Sequence, residues 1–181
     1  MRIAISGTHS SGKSTLIDDF LEAHRDYLHE PEPYEWLEEI GAEEPTAEDF
    51  RRQLEICVDR WRGYERGMNV IGERSPLDFL AYILALNDLE RSGRDCAMLD
   101  SAAELAAAGL ANIDLLIILP LEQPDPLAPH PSEDLELREA MNERLLDLVM
   151  SDPYSLIRTR VVEVTGSREQ RLRLVERALA R

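Results

Sequence analysis

The chain has 181 residues, a length that suits one compact domain, which we expect to span residues 1–181. The formal net charge of −16 argues against binding to long DNA or RNA, because nucleic-acid binders normally present a basic face. The longest apolar run, residues 113–121, contains a charged residue and a proline, so we expect no membrane span.

A glycine- and serine-rich loop follows the first predicted strand, residues 2–6. The loop satisfies the pattern G-x-x-x-x-G-K-[ST] with Gly7, Gly12, Lys13 and Ser14. The segment after it places its apolar residues on one side of a helix. A strand before the loop and a helix after it are the context that a phosphate-binding loop requires.

The loop predicts ATP as the bound nucleotide, because its backbone N–H groups and the helix N-terminus attract phosphate. Lys13 is expected to reach the β- and γ-phosphates and to act in catalysis, and the Ser14 hydroxyl to ligate Mg²⁺. We expect His9 to be a loop residue in contact with solvent rather than a catalyst. The predicted nucleotide-binding residues are Gly7, Thr8, His9, Ser10, Ser11, Gly12, Lys13, Ser14 and Thr15.

An acidic, proline-rich segment follows a short second strand predicted at residues 27–29. It reads Glu30-Pro31-Glu32-Pro33-Tyr34-Glu35-Trp36, and one or two helical turns are predicted over residues 34–40. A carboxylate fixed by this turn would suit the base that accepts a proton from a substrate hydroxyl. Both Glu30 and Glu32 are candidates. Tyr34 and Trp36 are interpreted as a pocket wall, the alternative being a loop that packs Trp36 on the core.

A Glu-Arg-Ser motif follows the third predicted strand, residues 68–72, after a helix predicted from a Thr46 cap to about residue 66. Glu73 is expected to face the Mg²⁺ beside Ser14, and Arg74 to stabilise the moving phosphoryl group or hold a substrate anion. The alternative is a surface ion pair beside a helix cap. A helix is predicted from Pro76 to about residue 89.

The second half of the chain continues the alternation. We predict a helix at 101–108 ended by Gly109, a buried strand at 113–119 and a loop with four prolines at 123–132. A helix at 133–150, a strand at 161–164 and a final helix capped by Ser167 follow. Arg138 on the long helix is a catalytic lid arginine or a solvated charge, and Arg144 is interpreted as solvated. Residues 165–168 lie where an adenine would rest, although a plain turn and cap is favoured.

Strands that alternate with helices predict an α/β fold with a five-stranded, mainly parallel sheet and helices on both faces. Ligands of such sheets bind at the carboxyl ends of the strands, where all these motifs lie.

The motifs GTHSSGKST, EPEPYEW and ERSPLDFLAYIL resemble, in the same order, those of the P-loop nucleoside and nucleotide kinases. The whole chain is most similar to small AAA-type domains of the nicotinamide riboside kinase kind, through ERSPLD, the proline-rich loop and the closing TGSREQRL. The resemblance implies a P-loop NTPase fold, a carboxylate base after the second strand and a Glu-Arg-Ser motif after the third. The spacing from Glu30 or Glu32 to Trp36 and the absence of an Arg-x-x-x-Arg lid cluster depart from that pattern.

We therefore expect an ATP- and Mg²⁺-dependent kinase that phosphorylates a hydroxyl of a small metabolite, such as a nucleoside or nucleotide. The alternative is a P-loop ATPase or switch module that acts on a protein partner. The chain starts without a secretory signal, and Cys57 and Cys96 are expected to be reduced, so we expect a cytoplasmic protein. The sequence leaves its oligomeric state open.

Overall fold

The computed structural model describes residues 1–36, 45–92, 96–122 and 133–180. Its five strands are β1 (Arg2–Ser6), β2 (Leu28–Glu30), β3 (Val70–Glu73), β4 (Leu115–Ile118) and β5 (Arg160–Glu163). They form one sheet in the order β2-β3-β1-β4-β5, and every neighbouring pair is parallel. The predicted α/β fold with a five-stranded parallel sheet is confirmed.

Helices cover both faces of this sheet, as a parallel sheet requires. They are α1 (Lys13–Ala23), α2 (Ala47–Arg62), α3 (Pro76–Asp88), α4 (Cys96–Leu110), α5 (Leu135–Ser151) and α6 (Arg168–Leu179), with a short 3₁₀ helix at Pro33–Trp36. One hydrophobic cluster lies between the sheet and helices α2 to α5, and a second lies between the sheet and helices α1 and α6. Among the described residues, no helix combines the length and the apolar composition needed to cross a membrane.

The central strand β4 shows why both faces are apolar. Leu116 and Ile118 belong to the cluster under α2 to α5, whereas Leu115 and Ile117 belong to the cluster under α1 and α6. Successive side chains of a strand point to opposite faces, so a strand covered on both sides needs a continuous apolar run. The sequence of β4 supplies that run.

Three of the helices begin with a capping box, in which the side chains of the cap and of the third helical residue bond each other's backbone N–H groups. These pairs are Thr46 with Asp49, Ser75 with Asp78, and Ser167 with Gln170. The cap predicted at Thr46 and the cap predicted at Ser167 are therefore confirmed.

Helix α4 is longer than predicted at both ends. It starts at Cys96 rather than residue 101, since Met98 and Leu99 also pack against the larger cluster. Gly109 does not end the helix but lies inside its last turn. A Cβ on Gly109 would lie 2.6 Å from Pro76 Cγ, so the glycine is there for close helix packing.

Strand β2 ends one residue later than predicted, and β3 is shifted towards its carboxyl end. The parallel register pairs Glu30 with Gly72 and Ile5 with Glu73, which draws both glutamates into the sheet. Residues 37–40 of the predicted helical turns and the predicted loop at 123–132 lie outside the described residues.

Gly109→Ala is expected to lower the free energy of unfolding by about 1–3 kcal/mol, because the added methyl group overpacks the contact with Pro76 and Val58. Urea-induced unfolding measures this change. Gly63→Ala is the matched control, since its Cβ would meet only backbone oxygens of its own helix, the nearest at 3.2 Å. A control that loses as much stability as Gly109→Ala would contradict the packing explanation.

Candidate active site

The predicted phosphate-binding loop, called the phosphate loop below, connects the end of β1 to the first residue of α1. Gly7 approaches the backbone so closely that a Cβ would lie 2.5 Å from the carbonyl oxygen of Leu119. Ser10 and Gly12 adopt left-handed backbone conformations, with φ of 51° and 92°. Successive left- and right-handed residues form the concave arrangement of N–H groups that binds anions.

Two buried hydroxyl groups of the loop fit such an anion. Thr8 Oγ1 and Ser11 Oγ are shielded from solvent and have no hydrogen-bond partner among the described residues. Buried polar groups are nearly always hydrogen-bonded, so orphaned hydroxyls beside a phosphate loop indicate a ligand with acceptor oxygens. The residues predicted to bind ATP are thus suited to phosphate.

Asp78 is fully buried and anchors the start of this loop. Its carboxylate accepts hydrogen bonds from Ser6 Oγ at 2.5 Å, from Gly7 N at 2.9 Å and from Ser75 N at 2.8 Å. It therefore ties together the end of β1, the phosphate loop and the cap of α3. This role was not predicted, although the S-x-x-D spacing of the capping box was a signal for it.

Lys13 lies beneath the loop and is 3% exposed. Its Nζ donates a hydrogen bond to the carbonyl oxygen of Thr8 at 2.9 Å and lies 3.5 Å from Glu73 Oε1. Burial, together with the positive charge of Arg74, lowers the pKa of Lys13 to about 8. The ammonium group is held at the loop, where a phosphate would offset this desolvation.

Arg74 is the most strongly constrained residue of the Glu-Arg-Ser motif. It has a left-handed backbone with φ of 76° and is 1% exposed. Its guanidinium donates to Glu32 Oε1 at 2.6 Å and to the carbonyl oxygen of Gly7 at 2.6 Å. Non-glycine residues adopt this conformation at an energetic cost, and such strain is concentrated at functional sites. Arg74 thus joins the phosphate loop to the proline-rich segment.

The structure separates the two candidate bases. Glu30 is 3% exposed and receives two hydrogen bonds from Arg60, at 2.8 and 2.7 Å, and a third from the Tyr64 hydroxyl. Its carboxylate is therefore engaged by α2 and the turn after it. Glu32 is partly exposed and contacts Arg74.

Glu32 stays ionised over the whole neutral range. Burial raises the pKa of its carboxyl group, but the positive charges of Arg74 and Lys13 and the hydrogen bond from Arg74 lower it, and the resulting pKa is about 2. An ionised carboxylate fixed by a buried guanidinium can accept a hydrogen bond from a hydroxyl group, and its own charge does not vary with pH near neutrality.

His9 is exposed, as predicted, but it also contacts the charged residues. Its Nδ1 lies 3.3 Å from Arg74 Nη2, and because a guanidinium only donates, Nδ1 must accept and Nε2 carries the proton. Although part of the residue reaches solvent, desolvation of its ring, together with the charge of Arg74, lowers the pKa of His9 to about 3, so the ring is neutral. The His9 ring lies 5.6 Å from that of Tyr82.

A stacked aromatic pair lies beneath Arg74, whereas the wall expected from Tyr34 and Trp36 stays a prediction. Tyr82 on α3 is 1% exposed, stacks on Phe50 of α2 with ring centroids 4.4 Å apart, and lies beneath the Arg74 guanidinium. Tyr34 is 46% exposed, and the side chain of Trp36 lies outside the part of the chain that the structure describes. Neither Phe50 nor Tyr82 was predicted to lie near the site.

Helix α5 contacts the loop from the other side. Arg138 is 6% exposed, so it is not a solvated charge, and its Nε donates to the carbonyl oxygen of His9 at 2.9 Å. The Glu133 carboxylate accepts a hydrogen bond from the Ser10 hydroxyl. Arg144, in contrast, forms surface ion pairs with acidic residues of α3 and α5, as the solvated interpretation predicted.

A cleft of about 230 Å³ lies between α1 and the loop that precedes α6. Arg171 supports that loop, since it donates to the carbonyl oxygens of Gly166 at 2.9 Å and of Ser11 at 2.8 Å and to Glu122 at 2.8 Å. Residues 166–168 therefore form one wall of the cleft, and they also form the predicted turn and the cap of α6. The cleft is lined by Gly12, Thr15, Leu16, Asp19, Gly166, Ser167, Arg168 and Arg171.

The predicted metal ligands lie at the same end of the sheet. Ser14 is exposed in the first turn of α1, and the Glu73 side chain is 12% exposed at the end of β3. A hydroxyl and a carboxylate are ligands that Mg²⁺ accepts when phosphate oxygens and waters complete its octahedron. Within the described residues there is no cluster of three or more His, Cys, Asp or Glu that would hold a metal without such help.

Solved structures share this fold, although no protein-family model and no curated protein matches the chain. The structure of deoxyadenosine kinase from M. mycoides with bound dATP has a TM-score of 0.71 at 16% identity and covers 100% of both chains. Thymidylate kinase from Candida albicans has a TM-score of 0.68 at 18% identity and covers 98% of this chain and 90% of that one.

These neighbours confirm the fold that the sequence motifs implied. The chain has the fold of the P-loop nucleoside and nucleotide kinases. The nearer likeness to nicotinamide riboside kinases stays a prediction.

Asp78→Asn is expected to lower the free energy of unfolding by about 3–5 kcal/mol, because it removes the charged acceptor of three buried hydrogen bonds and one of the two carboxylates near Arg74. Both carboxylate oxygens accept from backbone N–H groups, so either amide orientation would set an NH₂ group against a donor. Loss of the Gly7 anchor should also weaken ATP binding by about tenfold. Urea unfolding and calorimetry measure the two effects.

Asp88→Asn on the same helix is the matched control. Asp88 is partly exposed and pairs with Arg144, so its replacement should change stability by less than about 1 kcal/mol and leave ATP binding unchanged. Equal losses in the two variants would show that Asp78 has no special structural role.

Proposed function

We propose that this protein is a kinase that transfers the γ-phosphoryl group of ATP to a hydroxyl group of a nucleoside, a nucleotide or a similar small metabolite. The observation that carries the proposal is the Arg74 guanidinium, which bonds the phosphate loop at Gly7 and the carboxylate of Glu32, both at 2.6 Å. A carboxylate fixed beside the phosphate loop suits an acceptor hydroxyl. The fold neighbours, named deoxyadenosine kinase and thymidylate kinase, support phosphoryl transfer to a nucleoside or a nucleotide.

In this proposal the phosphates of ATP bind the loop 7–15, with hydrogen bonds from the orphaned hydroxyls of Thr8 and Ser11. Lys13 carries the positive charge for the β- and γ-phosphates. The purine base would enter the cleft between α1 and the loop before α6, which begins directly beside Gly12 and Thr15.

Ser14 and Glu73 would hold the Mg²⁺ ion, Glu73 directly or through water. When bound, Mg²⁺ offsets the negative charge of the transferring phosphoryl group. Glu73 also lies 3.5 Å from the Lys13 ammonium, which keeps that lysine aimed at the loop.

The chain's own residues position the acceptor. The acceptor hydroxyl donates a hydrogen bond to Glu32, and its oxygen forms a bond to the γ-phosphorus while the bond from that phosphorus to the β–γ bridging oxygen breaks. The hydroxyl proton passes to Glu32 or to solvent, and ADP leaves with the bridging oxygen. Because the transition state of phosphoryl transfer is loose, positioning by a carboxylate of low pKa is sufficient.

Arg138 completes the charge around the loop. Its guanidinium is held 2.9 Å from the carbonyl oxygen of His9, so it would lie near the phosphates without a large movement of α5.

We place the reaction in the cytoplasm, which is consistent with the two free cysteines, Cys57 and Cys96.

Glu32→Gln is expected to lower phosphoryl transfer by about 10²–10⁴-fold, because it removes the acceptor of the hydroxyl proton. ATP affinity should stay nearly unchanged, since the nucleotide is bound by the loop 7–15. Product formation is measured by mass spectrometry over a panel of nucleosides and nucleotides, and ATP binding by calorimetry.

Glu30→Gln is the matched control, because Glu30 is engaged by Arg60 and Tyr64. The folded fraction of this variant should keep transfer within about tenfold of the unaltered chain. Full transfer by Glu32→Gln would refute its role, and ATP hydrolysis with no acceptor at all would favour the ATPase alternative.

The affinity for ATP is expected to fall as the pH rises above about 8. The pKa of Lys13 in the free protein is lowered to about 8, so the ammonium is protonated below that pH and loses its charge above it. Binding of ATP is measured by calorimetry between pH 6.5 and 9.5. The Lys13→Ala variant should bind weakly with no such decline, and a decline that persists in it would assign the titration to another group.

A further inference from the structure

The charges around the acceptor position distinguish two classes of acceptor. We define the acceptor corner as His9, Glu32 and Arg74, in which Arg74 contacts both of the other residues. A nucleoside is a neutral hydroxyl compound and brings no charge to this corner. A nucleoside 5′-monophosphate brings about −1.5 to −2 charges at pH 7, as phosphate monoesters do, and needs a cation to receive them.

Arg74 is not available to a second anion. Its guanidinium is bonded to Glu32 at 2.6 Å and to the carbonyl oxygen of Gly7 at 2.6 Å, and Nη1 lies 3.6 Å from Asp78. It is also 1% exposed, so a phosphate would have to displace Glu32 to reach it. That displacement would remove the carboxylate from the acceptor hydroxyl.

Two other cations, Lys13 and Arg138, lower pKa values in the acceptor corner: Lys13 those of His9 and Glu32, and Arg138 that of His9. Lys13 lies 3.5 Å from Glu73 and belongs to the donor phosphates in the proposed function. Arg138 donates to the carbonyl oxygen of His9 and lies 3.8 Å from Glu133. Both arginines and the lysine are therefore already matched by carboxylates.

The formal charges around the corner confirm how little positive charge is left. Among the described residues here, three cations, Lys13, Arg74 and Arg138, face four carboxylates, so the group carries a net formal charge of −1 before ATP with its Mg²⁺ ion adds a further net negative charge. Those carboxylates are Glu32, Glu73, Asp78 and Glu133. His9 adds no charge, because its ring is neutral.

The chain that leads away from the corner is also acidic. Glu35 is exposed in the 3₁₀ helix directly after Glu32. Arg60 on α2 is bonded to Glu30 through both Nε and Nη2.

We propose that the acceptor is a hydroxyl compound without an anionic group, a nucleoside and not a nucleoside 5′-monophosphate. This inference rests on the proposed kinase function and selects between the two classes that the function leaves open. A monophosphate would enter a region of negative charge with its own charge unpaired, and an unpaired anion in a partly desolvated site is strongly disfavoured.

The test uses matched pairs of ribo- and deoxyribonucleosides and their 5′-monophosphates, with the full chain, ATP and Mg²⁺. The kcat/KM for each nucleoside that reacts should exceed that for its monophosphate by at least about tenfold. Equal or faster phosphorylation of the monophosphates would overturn the inference and leave the kinase function intact. Absence of transfer to every member of both classes would instead count against the kinase function.

Calorimetry provides a readout that does not depend on turnover. With a non-hydrolysable ATP analogue bound, nucleosides should bind at least about tenfold more tightly than their monophosphates. Glu32→Gln should narrow or reverse that ratio, because it releases the charge of Arg74. Glu35→Gln is the matched control, since its exposed charge is screened by salt and should change the ratio less. Equal shifts in the two variants would contradict the pairing argument, as would tighter binding of monophosphates to the unaltered chain.

Discussion

The carboxylate of Asp78 has no contact with solvent and receives hydrogen bonds from three parts of the chain: the end of β1, the first amide of the phosphate loop and the cap of α3. A buried charge is tolerated only when it is fully paired, so this one group fixes where three elements meet. Arg74 lies between Asp78 and Glu32 and completes the pairing. The position of the Glu32 carboxylate therefore depends on a buried residue that has no part in the proposed transfer step.

The two glutamates of the proline-rich segment show how neighbouring residues acquire different tasks. Glu30 is the last residue of β2 and pairs with Gly72 of β3. A Cβ on Gly72 would lie 2.7 Å from the Trp61 ring and 3.2 Å from Glu30 Cβ, so space for the Glu30 ion pair depends on that glycine. Glu32 lies beyond the strand end and turns towards the loop. The difference comes from the length of β2, which sets which carboxylate belongs to the sheet.

Local patterns in the sequence were sufficient for the fold and for the loop that joins β1 to α1. The apolar runs, the G-x-x-x-x-G-K-[ST] spacing and the caps at Thr46 and Ser167 each act within a few residues, and the structure follows them. The extent of α4 was misjudged, because the packing that admits Gly109 involves Pro76 and Val58 from two other helices.

Contacts between distant parts of the chain account for what the sequence left open in the site. Glu30 pairs with Arg60 thirty residues later, and Glu32 pairs with Arg74 forty-two residues later. The stacked pair of Phe50 and Tyr82 joins two helices. No spacing rule connects such residues, so a single sequence does not reveal them.

The guanidinium of Arg74 has a consequence for how the two substrates would affect each other. It bonds the backbone of the loop that would hold one substrate and the carboxylate that would receive the other. A displacement on either side changes the same hydrogen bonds, so the binding free energies of the two ligands cannot be independent. By thermodynamic reciprocity, if the bound nucleotide changes the affinity for the acceptor by some factor, the bound acceptor changes the affinity for the nucleotide by the same factor.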